Sequence, residues 1–114
     1  MEKEKELFIL WTTGDAFTAE KMVFMYAINS KLQNWWDEVT LIIWGASTKL
    51  VEQNHRMQKL IKKAMEAGVK VTACQACADE LESSDKLKEL GVELKYWGKP
   101  LTELLQSNKK MITI

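Results

Sequence analysis

Two nearly unbroken apolar runs constrain this chain most: Leu7-Phe8-Ile9-Leu10-Trp11 and Val39-Thr40-Leu41-Ile42-Ile43-Trp44. Neither alternates apolar with polar, as a strand with one wet face does. A short apolar run bounded by turn residues fits a strand covered on both faces, and such strands belong to parallel sheets flanked by helices. The turn residues are in place. Thr12-Thr13-Gly14-Asp15 follows the first run and Gly45 follows the second.

The rest of the chain keeps the same rhythm. Val69 to Ala73 reads as a third strand running straight into Cys74, Val92 to Trp97 as a fourth, and Lys109 to Ile114 as a short last one. Between them lie helical patterns. Thr18 is expected to cap a helix running to about Leu32 or Gln33, with Glu20 near its positive end. Ser47 to Gln53 predicts a helical turn. Met57, Leu60, Ile61, Ala64 and Met65 recur at helical spacing, with Gln58, Lys59, Lys62, Lys63 and Glu66 on the solvated side. Asn54 is placed to cap that helix and Gly68 to end it. Ala78, Leu81, Leu87 and Leu90 predict helix interrupted near Ser83-Ser84, with Ser84 as second cap and Gly91 as terminator. Pro100 is expected at a first helical position, opening Leu101 to Gln106. Strands alternating with helices predict a three-layer α/β/α fold with a five-stranded, mainly parallel sheet and doubly wound topology. With 114 residues and no linker-like stretch, one domain over residues 1–114 is expected.

Composition excludes several function classes. Sixteen basic and 16 acidic side chains leave no net charge, so the basic surplus of a nucleic-acid binder is missing. No apolar run approaches the roughly 18 residues of a membrane span. The charged start, Met1 to Glu6, lacks the apolar stretch of a secretory signal, which points to the cytoplasm. Met22 to Ile28 is apolar nearly all round, so that helix needs a second apolar partner. A crowded core and a subunit interface are equally good candidates.

Chemistry concentrates in Cys74-Gln75-Ala76-Cys77, where the third strand turns into a helix. Free N–H groups and the helix dipole favour an anion at such a corner, and a thiolate is the reactive form of cysteine. The spacing also allows a disulfide. Buried packing residues are the plain alternative, since free cysteine packs as a small hydrophobe. Zinc lacks ligands: the chain offers two cysteines and a distant His55. A thioredoxin-type motif would follow an early strand and face a cis-proline, which this pattern does not match. No phosphate-binding glycine motif is present, and no cofactor is implied. In parallel sheets ligand groups gather beyond the carboxyl ends of the strands. Thr13, Gly14, Asp15, Gly45, Ala46 and Trp97 are therefore candidate pocket residues, with Asp15 a candidate acidic group near the thiols.

The strand ending Trp-Thr-Thr-Gly-Asp, the run Leu41 to Ser47, the stretch Gly68 to Ala78 and the ending Gly91 to Thr102 together resemble small DsrE-like proteins. The resemblance covers nearly the whole chain. It implies a doubly wound α/β fold assembled as trimers or hexamers. It further implies a sulfur-relay role, with sulfane sulfur carried as a cysteine persulfide between donor and acceptor proteins. By position Cys74 matches the sulfur-carrying cysteine. Cys77 stands where those carriers often have a small residue such as alanine. It would act as a resolving or protecting thiol. Two other readings remain open at this point: a non-catalytic oligomeric binding module with structural cysteines, and a dithiol-disulfide oxidoreductase.

Overall fold

The computed structural model describes residues 4–114. The first half of the charged start, residues 1–3, lies outside them. Five strands, β1 (Glu6–Trp11), β2 (Glu38–Ile43), β3 (Lys70–Cys74), β4 (Glu93–Lys95) and β5 (Lys110–Thr113), form one sheet in the order β4-β3-β2-β1-β5. All four pairings are parallel. The two apolar runs lie side by side near the middle of this sheet, where both faces need cover.

The strand order decides where the helices go. From β1 to β4 the chain steps in one direction across the sheet. Right-handed crossovers therefore put every connecting helix on the same face. These are the consecutive segments α1 (Ala16–Thr18), a π-helical stretch (Ala19–Phe24) and α2 (Met25–Leu32). They are followed by α3 (Ala46–Gln53), α4 (His55–Glu66), α5 (Gln75–Glu80) and α6 (Ser84–Glu89). The step from β4 back to β5 runs the other way, and its helix α7 (Gly98–Gln106) covers the opposite face.

Side-chain alternation along the strands separates the two cores. Leu7, Ile9, Trp11, Leu41, Ile43, Val71 and Ala73 join the large core under α2, α4 and α6. Phe8 and Ile42 point the other way and pack with Trp97, Leu101 and Leu104. Trp11 is fully buried and meets Phe24 edge-on, with ring centroids 5.1 Å apart.

Several local expectations shift. The first helix begins at Ala16 rather than after Thr18. Asp15 is the cap, its carboxylate accepting from the Thr18 backbone N–H at 2.9 Å and the Thr18 hydroxyl at 2.6 Å. Ser84 does not cap α6; Ser83 precedes the helix and makes no capping bond from its side chain. Its hydroxyl donates to Glu52 instead, at 2.9 Å. The fourth strand is shorter than its apolar pattern, because Trp97 has already turned into the start of α7. Pro100 consequently sits inside the first turn of α7, not at its opening position; it has no N–H to donate, and the first-turn N–H groups lack intrahelical partners in any case. Gln58, expected on the wet side of α4, is buried. Its amide donates to the Val51 and Glu52 carbonyls at 2.8 and 3.0 Å, satisfying the free end of α3.

Asn54 caps α4 as expected, accepting from the Met57 N–H at 3.1 Å. Asn54→Ala should therefore lower stability by about 1 kcal/mol. Ser84→Ala, which removes no cap, should cost under about 0.5 kcal/mol. Urea unfolding followed by circular dichroism compares the two.

Candidate functional site

The carboxyl ends of β1, β2 and β3 finish level with one another: Trp11 pairs with Ile43, and Ile43 with Ala73. The loop after β2 is tied down by Ser47, which is fully buried. Its hydroxyl donates to the Trp11 carbonyl at 2.6 Å and accepts from the Trp44 N–H at 3.1 Å. Gly45 turns the chain there with φ 74° and ψ −133°, a conformation that side chains disfavour. Gly14, in the loop after β1, lies against this turn. A Cβ on it would stand 3.2 Å from the Ala46 Cβ.

Beside this corner β3 delivers Cys74. Its backbone is still extended, with φ −69° and ψ 116°, and α5 begins at the next residue. The Cys74 sulfur accepts from the Cys77 N–H at 3.4 Å, so the thiol itself caps α5. Gln75 and Tyr96 both donate to the Asp79 carboxylate, at 2.7 and 3.0 Å, and hold the outer side of α5. That carboxylate raises the Tyr96 hydroxyl above its ordinary value.

The two thiols differ in access. Cys74 is only 4 % exposed, whereas Cys77 is part-exposed; both are free. Cys77 lines an open recess of about 240 Å³ with Gly45, Ala46, Lys49, Glu80 and Leu81. Burial pushes the Cys77 thiol above its ordinary value. The Gly45 N–H pulls it the other way, and the neighbouring Cys74 thiol and the Glu80 carboxylate raise it further. The thiolate preference expected at a helix start is thus outweighed at Cys77 by lost hydration.

Of the candidate pocket residues, the structure brings Gly45 and Ala46 to Cys77. Gly14 supports them from behind. Thr13 holds its own loop, its hydroxyl accepting from the Asp15 N–H at 3.1 Å. The Asp15 carboxyl is spent on Thr18, whose bonds hold it below the usual carboxylate range. Trp97 belongs to the opposite face, where its indole N–H donates to the Thr72 hydroxyl at 3.1 Å and the Lys95 ammonium lies 4.2 Å over its ring. Lys49, Glu80 and Leu81 are the recess residues that sequence reasoning missed. Helical spacing held the signal: Lys49 is one turn beyond Ala46, and Glu80 one turn beyond Cys77. Among the described residues, no group of three or more His, Cys, Asp or Glu is placed to hold a metal ion. No helix among them is long and apolar enough to cross a membrane.

A family model described as DsrE/DsrF-like matches residues 5–114. The chain belongs to the DsrE/DsrF-like family. It is similar to a solved structure described as a conserved protein of unknown function, BT1422 from Bacteroides thetaiotaomicron. The two are 38% identical over 96% of this chain and 95% of that one, with a TM-score of 0.95. The ychN protein from E. coli shares the fold at 16% identity, covering 98% of this chain and 100% of that one, with a TM-score of 0.72. No curated protein matches the chain.

Because burial raises the Cys77 thiol, its thiolate fraction at neutral pH is smaller than that of a free cysteine. Iodoacetamide should modify Cys77 more slowly than free cysteine at pH 7. The rate should climb with pH to a midpoint above that of free cysteine. Mass mapping of alkylated peptides across a pH series checks this; a midpoint at or below that of free cysteine would contradict it.

Proposed function

We propose that this protein is a sulfur-relay protein that carries sulfane sulfur as a persulfide on Cys74, with Cys77 as the second thiol of the exchange. Membership of the DsrE/DsrF-like family supports a sulfur-relay role. The observation that carries the finer reading is the pairing of the two cysteines at the β3–α5 corner, where the Cys74 sulfur accepts from the Cys77 backbone N–H at 3.4 Å. A persulfide on Cys74 would be shielded, since that residue is nearly buried. The second thiol can release the sulfur. Attack of Cys77 on the inner sulfur of the Cys74 persulfide forms a Cys74–Cys77 disulfide and frees hydrogen sulfide, so the dithiol is oxidised as the sulfane sulfur is reduced. In this reading the protein works in the cytoplasm, where its thiols stay reduced, between a donor and an acceptor protein.

Intact-mass measurement after incubation with a persulfide donor tests the assignment. One added sulfur, mapped to Cys74 and removed by reductant, is the expected result. Unchanged mass at excess donor would make both cysteines structural.

The reading includes assembly into a homo-oligomer, a trimer or hexamer. Its support is a row of exposed apolar side chains on the first helix: Phe17, Met22, Met25 and Leu32 are 72, 41, 49 and 60 % exposed. Of these, Met25 and Leu32 line one surface recess with Phe24, Ile28 and Leu60, and shared apolar surface of this kind marks an interaction site. Sedimentation velocity should show a species larger than the 13.2 kDa chain, and Met25→Lys with Leu32→Lys should shift it toward monomer. A monomer in the unmodified protein would refute the assembly.

A further inference from the structure

The two thiols are unequal in access, and that inequality orders the exchange. Cys74 is 4 % exposed and is not among the residues that line the recess. Cys77 is the one cysteine that lines it, together with Lys49, Glu80 and the apolar Leu81. A donor sulfur approaching from solvent through the recess reaches Cys77 first. Next to it, the Cys74 sulfur lies 3.4 Å from the Cys77 backbone N–H.

We infer that Cys77 is the port of the relay: a donor persulfide held in the recess between the start of α3 and α5 loads Cys77, which passes the sulfur inward to Cys74. This rests on the sulfur-relay reading above. In the first step the Cys77 sulfur bonds the outer sulfur of the donor R–S–S⁻, the donor's S–S bond breaks, and R–S⁻ leaves with the Cys77 proton. The products are Cys77–S–S⁻ and R–SH. In the second step Cys74 attacks that same outer sulfur. Its bond to Cys77 breaks, and the proton moves from Cys74 to Cys77, giving Cys74–S–S⁻ and Cys77–SH. Sulfur moves twice, with no net oxidation and no further reactant. Thiol exchange depends on which sulfur is attacked and on access to it, so a bulky donor must use the exposed thiol. The path is reversible, and an acceptor collects sulfur at the same recess.

The test compares a bulky donor with a minimal one on the full chain. Glutathione persulfide cannot follow its sulfur to a buried thiol, whereas hydrodisulfide is a two-sulfur anion. Cys77→Ser should slow loading of Cys74 from glutathione persulfide by about tenfold or more, and slow loading from hydrodisulfide by a clearly smaller factor. In Cys74→Ser, peptide mapping should catch the sulfur on Cys77. Equal loss with both donors would assign Cys77 a structural role and overturn the port. Wild-type rates in Cys77→Ser with glutathione persulfide would overturn it too, leaving the relay reading standing. Wild-type protein that takes sulfur from neither donor overturns the relay reading, and this inference with it.

Discussion

The register of β2 against β3 holds the thiol corner in place. Ile43 opposite Ala73 makes Cys74 emerge level with Trp44, so that the next residue on each side, Gly45 and Gln75, begins to turn. A slip by one residue would send every side chain of β3 to the other face. Val71 and Ala73 would leave the large core, and Thr72 would lose Trp97. The register is therefore over-determined by two cores of opposite face. Cys74 inherits its position from packing well away from it.

Unequal cover on the two faces follows from the same winding. All crossovers from β1 to β4 step in one direction and stack their helices on one side. Among the described residues, α7 alone serves the other. The outcome is a thick core under the stacked helices and a thin one around Phe8, Ile42 and Trp97. The first helix lies on the thick side yet leaves Met22 and Met25 in solvent. Its buried set, Ala19, Val23, Phe24, Ala27 and Ile28, already satisfies the sheet. The nearly all-round apolar pattern of that helix is more than this chain's own core uses.

Much of this was legible in the sequence, for identifiable reasons. Continuous apolar runs ending in glycine turns announce central parallel strands, and the β-α alternation announces the winding. The strand-to-helix corner at Cys74 follows from Val69 to Ala73 running straight into it. What failed to show was local choice among equivalent residues. Asp15 and Thr18 can both cap, and the chain uses Asp15 because its carboxylate takes the Thr18 N–H and hydroxyl together. Ser83 and Ser84 present the same ambiguity. Trp97 looked like an edge residue of the site, but its face depends on strand parity at a point where the strand has already ended. Gln58 is buried because the carbonyls ending α3 need donors, a demand made by the neighbouring helix that no periodicity in α4 encodes.

The raised Cys77 thiol bears on what kind of exchange this corner can run. A thiol kept largely protonated is slow toward chance collisions and resists oxidation, because both reactions need the thiolate. The thiolate that does form is intrinsically the stronger nucleophile, since nucleophilicity rises with basicity. Such a group discriminates by residence time. A donor that docks and holds its sulfur at the recess multiplies the effective concentration enough to offset a small thiolate fraction, whereas a passing oxidant does not. The neighbouring Gly45 N–H limits the cost, holding back part of the rise that burial, Cys74 and Glu80 impose. In the proposed relay the same burial that makes Cys77 sluggish in solution makes it selective for a sulfur already seated beside it.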